Sequence, residues 1–94
     1  ALFWKAKYYF NKAEKQYQYE MAKYNKDKNA TTYAYLRREL KRISEEYKVA
    51  KNILERLKEQ DPTNKNQLVY LRNCYVRLEM QEEAAGVNKI IEGL

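Results

Sequence analysis

The sequence predicts an all-α fold, a helical-hairpin solenoid in which about five helices stack as pairs into a curved array. Three observations support it: apolar residues recur every three or four positions, turn-forming residues are scarce, and part of the chain repeats itself. The 94 residues include two Gly and one Pro, whereas an all-β fold needs turn residues about every 8–12 positions. This length is that of one small domain, so we expect residues 1–94 to fold as a single unit.

The first periodic segment covers residues 2–24. Its apolar side chains have the spacing of one helix face, and they are Phe3, Ala6, Phe10, Ala13, Tyr17, Met21 and Tyr24. The sequence Asn-Lys-Asp-Lys-Asn at residues 25–29 is rich in turn formers, so we expect the helix to end there.

The second periodic segment begins at Thr31 or Thr32 and has two interpretations. Ser44 followed by two Glu is typical of a helix N-cap, because the hydroxyl can accept a backbone hydrogen bond and the acids favour the helix dipole. We therefore predict a break near Ser44 and a new helix from Glu45. The apolar positions also fit an unbroken heptad pattern, which would make residues 32–60 one long helix; they are Leu36, Leu40, Ile43, Tyr47, Ala50, Leu54 and Leu57.

Two shorter helices are predicted in the last third of the chain. Asp61 and Pro62 end the preceding helix, because proline disfavours helical backbone in the residue before it. The next helix covers about residues 65–79 and the last about residues 81–91, with Gly93 at its end. Their apolar positions are Leu68, Leu71, Tyr75 and Leu78, then Ala84, Val87 and Ile90 or Ile91.

An internal repeat favours the interpretation with five helices. Tyr35-Leu36-Arg37-Arg38 returns 35 residues later as Tyr70-Leu71-Arg72-Asn73, and Ala50 returns 34 residues later as Ala84. A period in the mid-thirties, made of two helices, is the signature of a helical solenoid. At these residues the chain resembles the tetratricopeptide repeat, a family whose period is about 34 residues.

The resemblance implies a partial repeat in residues 1–29 and full repeats in residues 30–64 and 65–94, each a pair of antiparallel helices. The chain departs from the family pattern at two positions. The small residue of the first helix is replaced by Arg37 and Arg72, and the glycine of the turn by Glu45 or Glu79. Since the chain does not begin with Met, we expect it to be a segment of a longer protein.

The resemblance also implies a concave groove, lined by the first helix of each repeat, that holds an extended peptide. In the predicted register the side chains of this groove are Tyr35, Arg38, Lys41, Arg42, Tyr70, Asn73 and Arg77. Guanidinium groups bind carboxylates in paired hydrogen bonds, and tyrosine rings give rigid apolar contact. We therefore expect a protein-interaction scaffold for an acidic peptide or a C-terminal carboxylate. Asn73 and Arg77 resemble part of the two-carboxylate clamp with which some members of the family hold chaperone tails.

The charge distribution suggests two other functions. Residues 1–29 contribute +4 to the net charge of +6, residues 30–62 contribute +2 and residues 63–94 contribute zero, and seven of the ten Tyr precede residue 36. Lysines among aromatic rings suit phosphate contacts and base stacking, so nucleic-acid binding by the first 42 residues is one alternative. Self-association through the apolar ends of a truncated stack is another. The plainest interpretation of the same lysines is a solvated surface.

The composition argues against an enzyme. The chain has no His, which excludes a histidine general base and a Ser–His triad. Its single cysteine, Cys74, excludes an internal disulfide and a multi-cysteine zinc site, and we expect a buried, inert thiol. We predict no cofactor, no bound metal and no membrane span in this segment. The lone thiol fits a reducing compartment, which favours the cytoplasm.

Overall fold

The computed structural model describes residues 2–94, which form four α-helices: α1 (Phe3–Lys26), α2 (Ala30–Gln60), α3 (Lys65–Arg77) and α4 (Gln81–Glu92). Residues 2–94 contain no strand, which confirms the all-α prediction, although there are four helices instead of about five. Each helix packs on the next along the chain, and α1 also makes a smaller contact with α3. No helix of the described residues is long and apolar enough to cross a membrane.

The predicted break near Ser44 is wrong, because α2 continues through this residue for 31 residues in all. The hydroxyl of Ser44 donates to the carbonyl oxygen of Lys41 at 2.6 Å, so it bonds within the helix and caps nothing. The unbroken heptad pattern was the correct interpretation. Its apolar face is buried along most of the helix, and such tertiary burial outweighs a local capping signal. Residues 30–64 therefore do not form a pair of helices, and the concave groove that depended on that pair is absent from residues 2–94.

The first turn joins α1 and α2 into a long antiparallel hairpin. Asn29, and not the expected Thr31 or Thr32, caps α2. Its side-chain oxygen accepts from the backbone N–H of Thr32 at 2.9 Å, and the Thr32 hydroxyl oxygen accepts from the backbone N–H of Asn29 at 2.9 Å. This reciprocal pair is a capping box, which satisfies two otherwise unpaired backbone donors. Asn64 caps α3 through a hydrogen bond from the N–H of Gln67.

The turn between α3 and α4 contains an unusual residue, Glu79, with a φ of 61°. The N–H of Met80 donates to the carbonyl oxygen of Tyr75 at 2.8 Å, and that of Glu79 donates to Val76 at 3.1 Å. These two bonds define a Schellman motif, whose left-handed position favours glycine. The glycine missing from the sequence pattern is thus replaced by a strained glutamate, at a cost of about 1 kcal/mol.

The core lies where all four helices meet. Three alanines, Ala6, Ala13 and Ala50, have no exposed surface, so the backbones of α1 and α2 can approach closely. The rest of the buried cluster is Phe10, Ile43, Tyr47, Leu54, Leu57, Leu68, Leu71, Cys74, Tyr75, Ala84 and Val87. Among the leucines predicted as core, Leu40 and Leu78 are only partly buried, and Leu36 is buried outside this cluster.

The α1–α2 hairpin extends beyond this core. We call residues 3–17 and 40–60 the hairpin base, because they contribute the α1 and α2 residues of the core or pack against it. Residues 18–36 contribute none, and we call them the hairpin tip. The molecule is correspondingly elongated, with extents of 44 × 25 × 16 Å.

Candidate functional site

An open groove of about 850 Å³ lies where α3 ends against α2. Residues 33–48 of α2 form one wall, residues 76–79 form the other, and Tyr17 of α1 contributes between them. The groove exists because α3, with 13 residues, is much shorter than α2, with 31 residues. Beyond Arg77 the chain turns at Glu79 into α4, so α3 covers only part of α2. We call this feature the α2–α3 groove.

The α2–α3 groove is lined by both apolar and basic side chains. Its partly buried side chains include Leu40 and Leu78. Four exposed bases belong to it, Arg37, Arg38, Lys41 and Lys48, against one exposed acid, Glu79. Such a surface suits a ligand that carries both apolar groups and negative charge.

The four bases differ in the contacts that they make with other side chains. The ammonium of Lys48 lies 3.4 Å from a carboxylate oxygen of Glu45, and the guanidinium of Arg37 lies 6.0 Å from the ring centroid of Tyr33. Within residues 2–94, neither Arg38 nor Lys41 forms a salt bridge with an acid. Arg38 and Lys41 are thus the groove cations that a ligand's carboxylates can reach without displacing another group.

Three of the groove residues, Tyr17, Tyr47 and Arg77, belong to a network of polar contacts around Glu14. The Nε and Nη2 atoms of Arg77 donate to the two carboxylate oxygens of Glu14 at 2.8 and 3.0 Å. The hydroxyl of Tyr47 donates to the same carboxylate at 2.6 Å, and the guanidinium carbon of Arg77 lies 4.1 Å from the ring centroid of Tyr17. The network joins α1, α2 and α3, so it holds the groove walls together.

This network shifts the proton equilibria of its members. The hydrogen bonds from Arg77 lower the pKa of Glu14, although partial burial opposes the shift. Burial, together with the hydrogen bond to Glu14, raises the pKa of Tyr47. The carboxylate therefore stays ionised and the phenol stays protonated over the whole neutral range, and the charge of Arg77 is already balanced by Glu14.

The structure brings three of the seven predicted site residues to the α2–α3 groove: Arg38, Lys41 and Arg77. Tyr35 instead lines a second cavity, in the hairpin tip. Arg42 points away from the groove lining and bonds to Glu39 at 3.1 Å.

The remaining two predicted residues lie on α3, outside the α2–α3 groove. Tyr70 packs edge-on against Phe3 and Phe10, with ring centroids 5.5 and 5.4 Å away. The side-chain oxygen of Asn73 accepts from the Nε of Arg72 at 3.4 Å. Their assignment to one concave surface depended on a helix pair that α2 does not form.

Sequence reasoning missed several groove residues, and the unbroken helix would have revealed them. The missed residues Tyr33, Arg37, Ser44 and Lys48 are separated from one another, or from the predicted Lys41, by steps of three or four positions. All five therefore share one side of a continuous helix. The predicted break at Ser44 divided this set between two helices. In the sequence, Glu79 was noted only because it occupies the position where the family pattern has the glycine of the turn.

The second cavity, which we call the tip cavity, has a volume of about 320 Å³ and lies between the two helices near their turn. The ammonium of Lys23 lies there, 4.7 Å from the ring centroid of Tyr35. Glu20 is only 6% exposed, and one of its carboxylate oxygens is buried without a hydrogen-bond partner. The tip therefore buries a carboxylate where the base buries apolar side chains.

Cys74 is fully buried, as the sequence predicted. Burial raises the pKa of its thiol to about 12, so it is protonated and unreactive at neutral pH. The described part of the chain holds no group of three or more acidic or cysteine side chains placed to bind a metal ion.

No protein-family model, curated protein or solved structure matches this chain.

Proposed function

We propose that this chain is a protein-interaction module whose α2–α3 groove binds an acidic, amphipathic segment of a partner protein. The observation that carries the proposal is the combination of partly buried Leu40 and Leu78 with the unpaired bases Arg38 and Lys41 in one groove. The apolar side chains of the segment would replace water over the leucines. Its carboxylates would accept hydrogen bonds from the two bases.

The size of the groove supports a peptide ligand. Its volume of about 850 Å³ lies towards the upper end of the range of about 300–1,000 Å³ for ligand pockets. Since the groove is open and follows more than three turns of α2, from Tyr33 to Lys48, an extended or helical segment fits it better than a compact small molecule.

In this proposal Arg77 is a positioning residue. Both of its carboxylate contacts go to Glu14, so it stabilises the groove walls and does not bind the partner's carboxylates. This differs from the clamp role that the tetratricopeptide resemblance suggested for it.

The proposed relationship to tetratricopeptide repeats is supported chiefly by the α3–α4 hairpin. Its helices have 13 and 12 residues, and Leu71 and Ala84, two of the residues that carry the resemblance, are buried. We propose that this hairpin is the repeat-like unit, and that it packs against a long helical hairpin which lacks the turn of a middle repeat.

The test is a charge reversal with a matched control. A fluorescently labelled peptide with alternating Glu and Leu at helical spacing should bind the chain, as measured by fluorescence anisotropy. Arg38→Glu should weaken binding about tenfold or more, which corresponds to about 1.4 kcal/mol. Arg42→Glu changes the net charge equally, one helical turn away and outside the groove lining, and should have little effect.

Circular dichroism on both variants checks that helicity is retained. Equal weakening by the two reversals would mean that only the overall charge attracts the peptide, which contradicts a groove site. The same conclusion follows if Arg38→Glu binds as tightly as the original chain, or if a peptide with Gln in place of Glu binds equally well.

A further inference from the structure

The outward side of α1 presents positive charge without exposed negative charge. The helix contains two acids, Glu14 and Glu20: the first is partly exposed but bonded to Arg77, and the second is buried. All the exposed charged side chains of α1 are lysines, namely Lys5, Lys12, Lys15, Lys23 and Lys26. Such a surface attracts a polyanion.

The same side of α1 carries the three most exposed aromatic rings of the described residues. Trp4 is 67% exposed, Tyr19 is 63% and Tyr8 is 56%. Together with Lys15 and Lys26, these rings are spaced at steps of four and seven residues, which place all five side chains along one line on a helix. We call this line the lysine–aromatic stripe, and it consists of Trp4, Tyr8, Lys15, Tyr19 and Lys26.

The opposite side of α1 is occupied by the core. Ala6, Phe10 and Ala13 are buried there, and Tyr17 faces the α2–α3 groove. A helix that lies in a membrane interface needs a free apolar face to bury among lipids, and α1 has already used its own. The exposed side of α1 carries aromatic rings with polar edges and lysine ammonium groups. These groups favour binding to a nucleic acid over binding to a lipid surface.

A single strand fits this surface better than a duplex, because its bases are free to stack. Stacking on an exposed aromatic ring favours the binding of a base and tolerates any sequence, while lysines pair with the phosphates. The stripe spans about 33 Å, from the helical rise of about 1.5 Å per residue. The ammonium of Lys23 lies over the ring of Tyr19, 5.3 Å from its centroid, so a cation is close to a ring on which a base could stack.

We propose that the lysine–aromatic stripe of α1 binds single-stranded nucleic acid, with bases stacked on Trp4, Tyr8 and Tyr19 and phosphates paired with Lys15 and Lys26. The site is separate from the α2–α3 groove, since Tyr17 and the stripe lie on opposite sides of α1. The nucleic-acid site expected within the first 42 residues is thereby reduced to one face of α1. This site does not depend on whether the α2–α3 groove binds a peptide.

The first experiment measures the affinity of the chain for a labelled single-stranded oligonucleotide of mixed sequence, by fluorescence anisotropy at low salt. Tyr19→Ala should weaken binding about tenfold, from the loss of one stacked base. Tyr33→Ala removes another half-exposed tyrosine, which lies on α2 outside the stripe, and should leave the affinity unchanged. Circular dichroism shows whether either variant loses helicity.

The second experiment measures how the affinity depends on salt. Lys15→Ala should reduce the slope of log affinity against log salt concentration by about 0.7, because one phosphate contact is lost. The control Lys65→Ala removes an exposed lysine at the start of α3 and should not change the slope.

Four outcomes would overturn the proposal. These are no binding at low salt, equal loss for Tyr19→Ala and Tyr33→Ala, equally tight binding of a duplex of the same sequence, and binding to anionic lipid vesicles without binding to the oligonucleotide. The third outcome would indicate a general polyanion surface, and the fourth would indicate a membrane surface.

Discussion

The two ends of the α1–α2 hairpin have similar sequence patterns but different surroundings. At the hairpin base, side chains of α3 and α4 complete the common core, in which Ala50 and Leu54 are buried. At the hairpin tip no residue belongs to that core, and the buried side chains are Leu36 and the carboxylate of Glu20. The comparison teaches that periodicity identifies the inner face of a helix, whereas the reach of the covering helices decides how much of that face becomes core.

The candidate groove lies at the boundary between these two ends. There α3 stops at Arg77, and the leucines on either side of the boundary, Leu40 and Leu78, keep part of their surface exposed. The proposed binding site therefore lies where the covering helix ends before the apolar face does.

The largest expected difference between base and tip comes from the same substitution at each end. Leu54→Ala, at a site 1% exposed, should lower the free energy of unfolding by about 4 kcal/mol, because the cavity is enclosed by packed helices. Leu36→Ala, at a site 5% exposed beside two open cavities, should lower it by about 2 kcal/mol, because water and neighbouring side chains can fill the space. Urea denaturation measures both, and equal losses would contradict the distinction between base and tip.

A smaller effect is expected from the network at the boundary. Glu14→Gln should lower the free energy of unfolding by about 1–2 kcal/mol near neutral pH, because two charge-assisted hydrogen bonds with Arg77 are weakened. Folding lowers the pKa of Glu14, so this stabilisation is complete above the pKa of the unfolded chain and is lost as the pH falls through the folded pKa.

The measurement is the difference in unfolding free energy between the original chain and Glu14→Gln, at about pH 7 and at progressively lower pH. That difference should shrink in acid. Glu45→Gln, which removes a well-exposed carboxylate paired with Lys48, is the control and should show almost no difference at either pH. A Glu14→Gln difference that stays constant down to strongly acidic pH would argue against the network.

The smallest expected effect is a gain in stability at the turn that ends α3. Glu79→Gly should raise the free energy of unfolding by about 1 kcal/mol, because glycine adopts the φ of 61° without strain. It also removes the one exposed acid of the groove, so the acidic peptide should bind more tightly. Glu82→Gly is a contrasting control: it places glycine inside α4 and should destabilise the chain by about 1 kcal/mol. A loss of stability in Glu79→Gly would show that the glutamate makes compensating contacts.

The sequence was sufficient to predict where most helices end. The turn formers at residues 25–29 and 61–64 follow α1 and α2 closely, and the last two helices were expected within a few residues of their observed bounds. These signals are local, because they depend on backbone preferences and on hydrogen bonds between neighbouring residues. The N-cap pattern at Ser44 is also a local signal, but its prediction of a helix start was wrong. The reason is that the apolar face of α2 is continuous and is buried on both sides of Ser44.

The candidate site could be predicted only in part. Arg38 and Lys41 belong to it whether α2 is broken or continuous, because they lie before the supposed break. Lys48 required the continuous helix, because it lies beyond the supposed break. Tyr70 packs against the core instead, because Phe3 and Phe10 of α1 contact its ring. That contact joins segments about sixty residues apart, so no local pattern predicts it.

By itself, the sequence determined the helical class, the apolar faces, the excess of positive charge before residue 63 and the absence of histidine chemistry. The tertiary structure decided that α2 runs through Ser44, that α3 stops at Arg77 and that the lysine–aromatic stripe remains exposed. The reason is that a residue pattern specifies which side of a helix prefers burial, whereas burial itself requires a second helix of sufficient length on that side. The lengths of α3 and α4, set against the longer α1 and α2, therefore decided which apolar and basic residues were left at the surface.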